Sequence, residues 1–210
     1  VLVVAVRAPE SDAPAAGSAF RLADSLRLNR AVWSVIGIAA VIMLARFSEA
    51  FVLLKALEAG FVPAWVPLSL VVMHTAYGLT AYPVGRLSDR IGTSGLLITS
   101  LAFLVAAHLV LAFATTVLAY VAGTILWGLH MGFSQGLLGA MIAAATPNHL
   151  KGSAFGTFNL VTGVVVLIGN TAAGFLWHTQ GSAAPFLLGA LLSVAAMAFI
   201  AIARPATTAR

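Results

Sequence analysis

The sequence predicts an all-α protein, a polytopic membrane helix bundle with six transmembrane helices. Three observations carry that expectation. Of the 210 residues, 61% are hydrophobic and 8% are charged, and mean hydropathy is +1.04, whereas soluble domains carry about 25% charged residues. Apolar runs of about 20 residues recur, the length a helix needs to cross a hydrocarbon layer. No stretch alternates apolar and polar residues with the period of two that a membrane barrel strand requires, so helices are the way left to satisfy backbone hydrogen bonds in lipid.

The first full span is expected at about residues 31–54, followed by a short loop over 55–63 and a second span over about 64–84. The third covers about 95–114, and the fourth, after Thr115 and Thr116, about 118–144. Pro147 interrupts the next loop, 146–152, because it cannot continue a helix. The fifth span follows over about 153–177, a turn lies at 181–184, and the sixth runs over about 185–203 until Arg204 and Pro205 end it.

Ahead of these spans, residues 1–6 form an apolar run too short to cross a membrane, expected to be the end of a preceding transmembrane helix. Residues 7–30 are polar and rich in Ala, Pro and Ser, the composition of a linker, with a short surface helix expected near 20–28. The six-helix domain occupies 31–204, and 205–210 form a tail.

Gly85-Arg86-Leu87-Ser88-Asp89-Arg90-Ile91-Gly92 is a charged octet between two apolar runs. Its two arginines are costly in hydrocarbon, which makes it a loop and an anchor for topology. With six spans, the linker, the octet, Lys151 and the tail fall on one side with nine basic residues, whereas only Lys55 falls on the other and Arg46 lies within a span. Basic residues face the cytoplasm, so both ends are expected there, in a bacterial-type inner membrane.

The net charge of +5 follows membrane sidedness, and no basic patch with interleaved aromatics points to nucleic acid. With no cysteine in the chain, disulfides and thiolate metal sites are excluded. No nucleophile elbow, phosphate loop or metal-ligand spacing occurs, so neither an enzyme nor a cofactor is expected.

The octet, read as Gly-x-Leu-x-Asp-Arg-x-Gly between two transmembrane helices, resembles the loop signature of the major facilitator superfamily of secondary transporters. The family places further basic residues after the last glycine, where Thr93 and Ser94 stand here. Pro147, Lys151, Gly152 and Gly156 are similar to the turn before the family's eleventh helix, with lysine in place of arginine. The fifth span holds Gly163, Gly169 and Gly174 but no proline, unlike the Gly-Pro-rich fifth helix of the family's proton antiporters. The resemblance therefore implies the C-terminal six-helix half, residues 7–30 being the cytoplasmic central linker, with an N-terminal half of the same polypeptide as its partner.

That resemblance further implies alternating access around a midplane site, with a small-molecule substrate and a proton as partners in the bilayer. Proton-coupled efflux is the first expectation, from the octet's likeness to drug-proton antiporters. Metabolite uptake, facilitated transport and a non-transporting six-span module are the alternatives. The first, second, fourth and fifth spans are implied to border a cavity or the other half, and the third and sixth to face lipid. Gly85, Arg86, Asp89, Arg90 and Gly92 are implied to latch the cytoplasmic side, Asp89 making and breaking charge contacts.

Arg46 and Glu49 lie three residues apart on one helical face and can pair. Counted from Ala31, Arg46 lies roughly 22 Å into the span. They read either as a coupling pair, Glu49 taking a proton and Arg46 an anionic group, or as a structural ion pair near the interface. His74 and His130 could relay protons or serve as neutral hydrogen-bonding groups. Trp127, His130 and Ser134, with Gln135 beside them, suit a cavity wall or internal packing. Asn159 and Asn170 bring amides into the membrane for a substrate or for another helix. Gly128, Gly132, Gly136 and Ala140 form a small-residue ladder that reads as helix packing.

Overall fold

The computed structural model describes Ser25 and residues 27–203. The expected helix end at 1–6, most of the linker with Arg7 and Arg21, and the tail from Arg204 lie outside the described residues. Among the described residues seven α-helices have a full range: α1 Arg30–Ala45, α2 Glu49–Glu58, α3 Leu68–Ile91, α4 Thr93–Ala112, α5 Val117–Ala145, α6 Lys151–Gln180 and α7 Ala183–Ala203. Among the described residues no strand occurs, and six helical segments are long and apolar enough to cross a membrane, α1 and α2 together making the first. The protein is a multi-pass membrane protein.

Local chemistry sets most of the ends. Asn29 caps α1 by accepting from the Val32 N–H at 2.9 Å, and its amide reaches the Ala145 carbonyl at 3.4 Å. Thr116 caps α5 through the Ala119 N–H. Gly60, Gly92 and Gly181 take positive φ where the chain reverses after α2, α3 and α6, a conformation that a Cβ makes costly.

Two expected boundaries are corrected. The octet is not a loop: α3 runs 24 residues through it to Ile91, and Gly92 alone, with φ 82°, turns the chain into α4. Leu87 through Ile91 have nothing that forbids helix, Ser88 bonds back to the Gly85 carbonyl at 2.7 Å, and Arg90 stands in the last turn, where a cation suits the helix dipole. Gly85 is therefore an ordinary helical residue. At ~1.5 Å per residue α3 is roughly 36 Å long, which exceeds a ~30 Å hydrocarbon core and carries the octet into water. The second correction is the first span, which is not one helix: it breaks at Arg46-Phe47-Ser48.

Helix α5 is the centre of the bundle, packed between α3 and α4 and touching α1, while α7 packs against α4, α1 and α6. Close approach of α3 to α5 depends on glycine. A Cβ at Gly128 would strike the Met73 carbonyl oxygen, and one at Gly132 would strike the Thr80 hydroxyl. Gly136 has nothing within 4 Å, so the ladder serves as packing only in its first two rungs. Just 17% of the most apolar stretch of α3, and of α6, is buried, against 39–50% in the other spans. These two helices carry the most open faces of the bundle.

Candidate functional site

The site is built around the break in the first span. Helix α1 ends at Ala45, Arg46 and Ser48 take extended backbone (φ −99°, ψ 91° and φ −62°, ψ 141°), and α2 starts at Glu49. Non-helical backbone at membrane depth survives only where protein groups satisfy it, and here they come from distant helices. The Asn170 amide oxygen on α6 accepts from the Ser48 N–H at 2.7 Å. His108 Nε2 on α4 stands 3.1 Å from the Ala45 carbonyl oxygen. Ser48 completes the junction as N-cap of α2, its hydroxyl accepting from the Ala50 N–H at 3.2 Å.

Phe47 fixes the break from the inner side. It is 4% exposed and its ring contacts those of Phe51, His108, Trp127 and Phe186, with centroids 5.0–5.6 Å away. With Phe47 anchored inward, Arg46 and Glu49 turn to the other side, where they border a pocket of ≈ 220 Å³. Its polar lining is Arg46, Ser48, Glu49 and Asn170, and Met43, Phe47 and Val166 complete it.

The Arg46–Glu49 pair is held loosely. Nη2 of Arg46 and Oε1 of Glu49 are 4.0 Å apart, beyond hydrogen-bond reach, and the side chains are 17% and 28% exposed. Nη1 of Arg46 is buried with no hydrogen-bond partner. Tyr77 of α3 and His130 of α5 lie within electrostatic range of this guanidinium. The arrangement offers an arginine with spare donors, a carboxylate beside it and the positive end of α2, all on one cavity.

The remaining residues singled out from the sequence divide between the interior and the open faces. His130 is fully buried on α5, 2.8 Å from the Ser100 hydroxyl on α4. Trp127 is also fully buried, its ring packed on Phe47 and His108, and Ser134 bonds to the His130 carbonyl at 2.9 Å. That stripe forms packing within the bundle, and Gln135 is half-buried next to it. His74 is exposed on α3, bonded at 2.8 Å to the Leu70 carbonyl with its ring against Tyr77, and Asn159 is exposed on α6. Arg86, Asp89 and Arg90 are exposed in the last turns of α3, with Arg86 6.0 Å from the Tyr82 ring centre. Asp89 makes no ion pair among the described residues.

Sequence reasoning missed His108, whereas Asn170 serves another helix, one of the two uses expected of it. The signal for His108 was present, an ionisable residue in a hydrophobic span. It is fully buried, and Gly189 of α7 makes room for its ring. A larger groove of ≈ 490 Å³ lies between Ile98, Ala102 and Val105 of α4 and Val194, Met197 and Ala198 of α7. It is apolar throughout and offers no group that could orient a polar ligand.

Residues 28–210 match the family described as Major Facilitator Superfamily. Among solved structures the fold is similar to that in the in meso crystal structure of the POT family transporter PepTSo, with a TM-score of 0.63 and 16% identity. The match covers 85% of this chain and 38% of that one, so this chain spans well under half of the transporter it resembles. At that identity the likeness is one of fold. A comparison with curated proteins gives no match.

Proposed function

The chain belongs to the Major Facilitator Superfamily, and from that premise we propose that it forms the C-terminal half of a secondary transporter for a small organic molecule. An N-terminal half completes it, covering the open faces of α3 and α6 where His74 and Asn159 lie. The two halves rock about a midplane site in a bacterial-type inner membrane, with both ends cytoplasmic. The observation that carries this reading is the broken first span, whose Arg46–Glu49 pair borders a pocket at membrane depth. Discontinuous helices with ionisable groups at the break mark substrate and ion sites in transporters.

Coupling to protons is assigned to Glu49, which meets both Arg46 and the pocket. Glu49→Gln keeps size and polarity but cannot take up a proton. It should abolish transport driven by a pH gradient in proteoliposomes while leaving exchange of substrate across the membrane; pH-driven transport at wild-type rates would remove Glu49 from the coupling role. Efflux is supported by the octet's likeness to drug-proton antiporters. Uptake is the second reading, favoured by the charge arrangement of the pocket.

The octet is assigned the cytoplasmic latch. Asp89 is exposed and without an ion-pair partner among the described residues, which supports its meeting a basic group of the other half as the cytoplasmic side closes. Asp89→Asn should lower the transport rate about tenfold or more at normal expression. An unchanged rate in whole-cell assays, with surface amounts matched by blotting, would remove the latch role.

A further inference from the structure

We infer that the pocket at the break binds a small organic carboxylate on Arg46, and that the carboxylate enters together with a proton taken up by Glu49. This rests on the proposed reading of the pair as the coupling site, and it specifies the substrate class. Arg46 has a donor for it in Nη2, which meets only a carboxylate 4.0 Å away, and the buried Nη1 has no hydrogen-bond partner, so the guanidinium is under-satisfied. A guanidinium in this condition is matched by a carboxylate, whose oxygens accept its N–H groups. The N-terminal end of α2, capped at Ser48 beside Arg46, adds positive potential on the same side.

Charge balance supplies the coupling. In the empty pocket Arg46 and Glu49 neutralise each other. An incoming carboxylate puts two anions against one cation, and inside a membrane protein an uncompensated charge is expensive, since Coulomb energies grow as the effective dielectric falls. Protonation of Glu49 from the aqueous side removes the excess charge and frees the guanidinium for the ligand. Protonation without the ligand leaves Arg46 uncompensated, so each event favours the other. Of the titratable groups on packed helices, Tyr77 of α3 and His130 of α5 lie within electrostatic range of Arg46, whereas His108 of α4 is engaged with the Ala45 carbonyl on the inner side. Asn170, from α6, is uncharged and already engaged with Ser48.

A carboxylate that enters with a proton is driven inward by an inward proton gradient, which is uptake. A cationic drug would instead compete with the proton for Glu49 and would meet Arg46 as a like charge.

The test uses the full-length protein in nanodiscs with benzoate, butyrate, benzamide and 4-aminobutyrate as probes. Isothermal titration in two buffers of different ionisation enthalpy measures affinity and protons taken up together. Benzoate or butyrate should bind with uptake of about one proton per ligand, and benzamide at least about tenfold more weakly. Arg46→Gln should weaken carboxylate binding about tenfold or more, and Arg46→Lys less, with thermal unfolding of the unliganded variants confirming the fold. Glu49→Gln should bind benzoate with no proton uptake. Equal binding of benzamide, preference for zwitterionic 4-aminobutyrate, no carboxylate binding by the wild type, or binding without proton uptake would each overturn the inference. These outcomes are separable from failure of the coupling role, which is read from pH-driven transport in Glu49→Gln.

Discussion

Gly128→Val leaves little folded protein. The Cβ alone would strike the carbonyl oxygen of Met73, and Ala76 Cβ lies 2.9 Å away on the same helix. The obstruction is largely backbone, so α3 must move off α5 as a unit. Overpacking of a well-fitted interior costs typically 1–3 kcal/mol when side chains can give way, and here we expect about 3 kcal/mol or more. The branched side chain adds two further methyl groups to the same space. The measurement is the yield of monodisperse protein on size exclusion in detergent, together with Tm. Gly136→Ala is the matched control, because nothing lies within 4 Å of its added Cβ, and it should leave both readouts unchanged or raise Tm slightly through helix propensity. If Gly128→Val behaves like Gly136→Ala, α3 and α5 do not approach as described.

Asn170→Leu disables the break. Its amide oxygen is the acceptor for the Ser48 N–H at 2.7 Å, at a depth where water is scarce. Without that acceptor the part-buried N–H loses its protein partner, a loss of at most about 1–3 kcal/mol. The chain can avoid this cost only by moving Ser48, and with it the N-terminus of α2 and the Arg46–Glu49 pair. We therefore expect a lower Tm and a transport rate reduced about tenfold or more. Asn170→Asp separates the two contributions. It retains an acceptor for Ser48, so Tm should recover, but it places a second carboxylate in the pocket beside Arg46. Transport should then stay impaired while stability returns. If Asn170→Leu matched the wild type in both readouts, the break would not depend on α6.

The same break shows where reading the sequence reaches its limit. A kink caused by proline or glycine can be recognised locally, but Arg46-Phe47-Ser48 contains neither. Ser48 followed by Glu49 is a helix-start signal, a capping hydroxyl and then an acidic first-turn residue, yet in an apolar run it is weak. What makes the extended backbone tolerable lies far along the chain: His108 is 63 residues from Ala45, and Asn170 is 122 from Ser48. No local pattern carries such a pairing. The octet illustrates the opposite limit. Its two glycines look alike in sequence, and only the conformation distinguishes Gly92, with φ 82°, from Gly85 inside the helix.

The sequence by itself determined the solvent, the all-helical class and the number of crossings. Composition and run length suffice there, because in lipid a backbone has few ways of satisfying its hydrogen bonds. It also put Arg46 and Glu49 close together, three residues apart in the chain, although the helix expected to set them on one face is broken between them. The tertiary structure decided which polar groups face a cavity and which are packed away. Trp127 and His130 carry ring nitrogens able to hydrogen-bond, as Arg46 and Asn170 carry polar groups, but the first two lie in the bundle interior and the last two border the pocket. Helical periodicity places a residue on a face, whereas the rotation of that face and its neighbours are set by close packing such as that of Gly128 and Gly132 against α3.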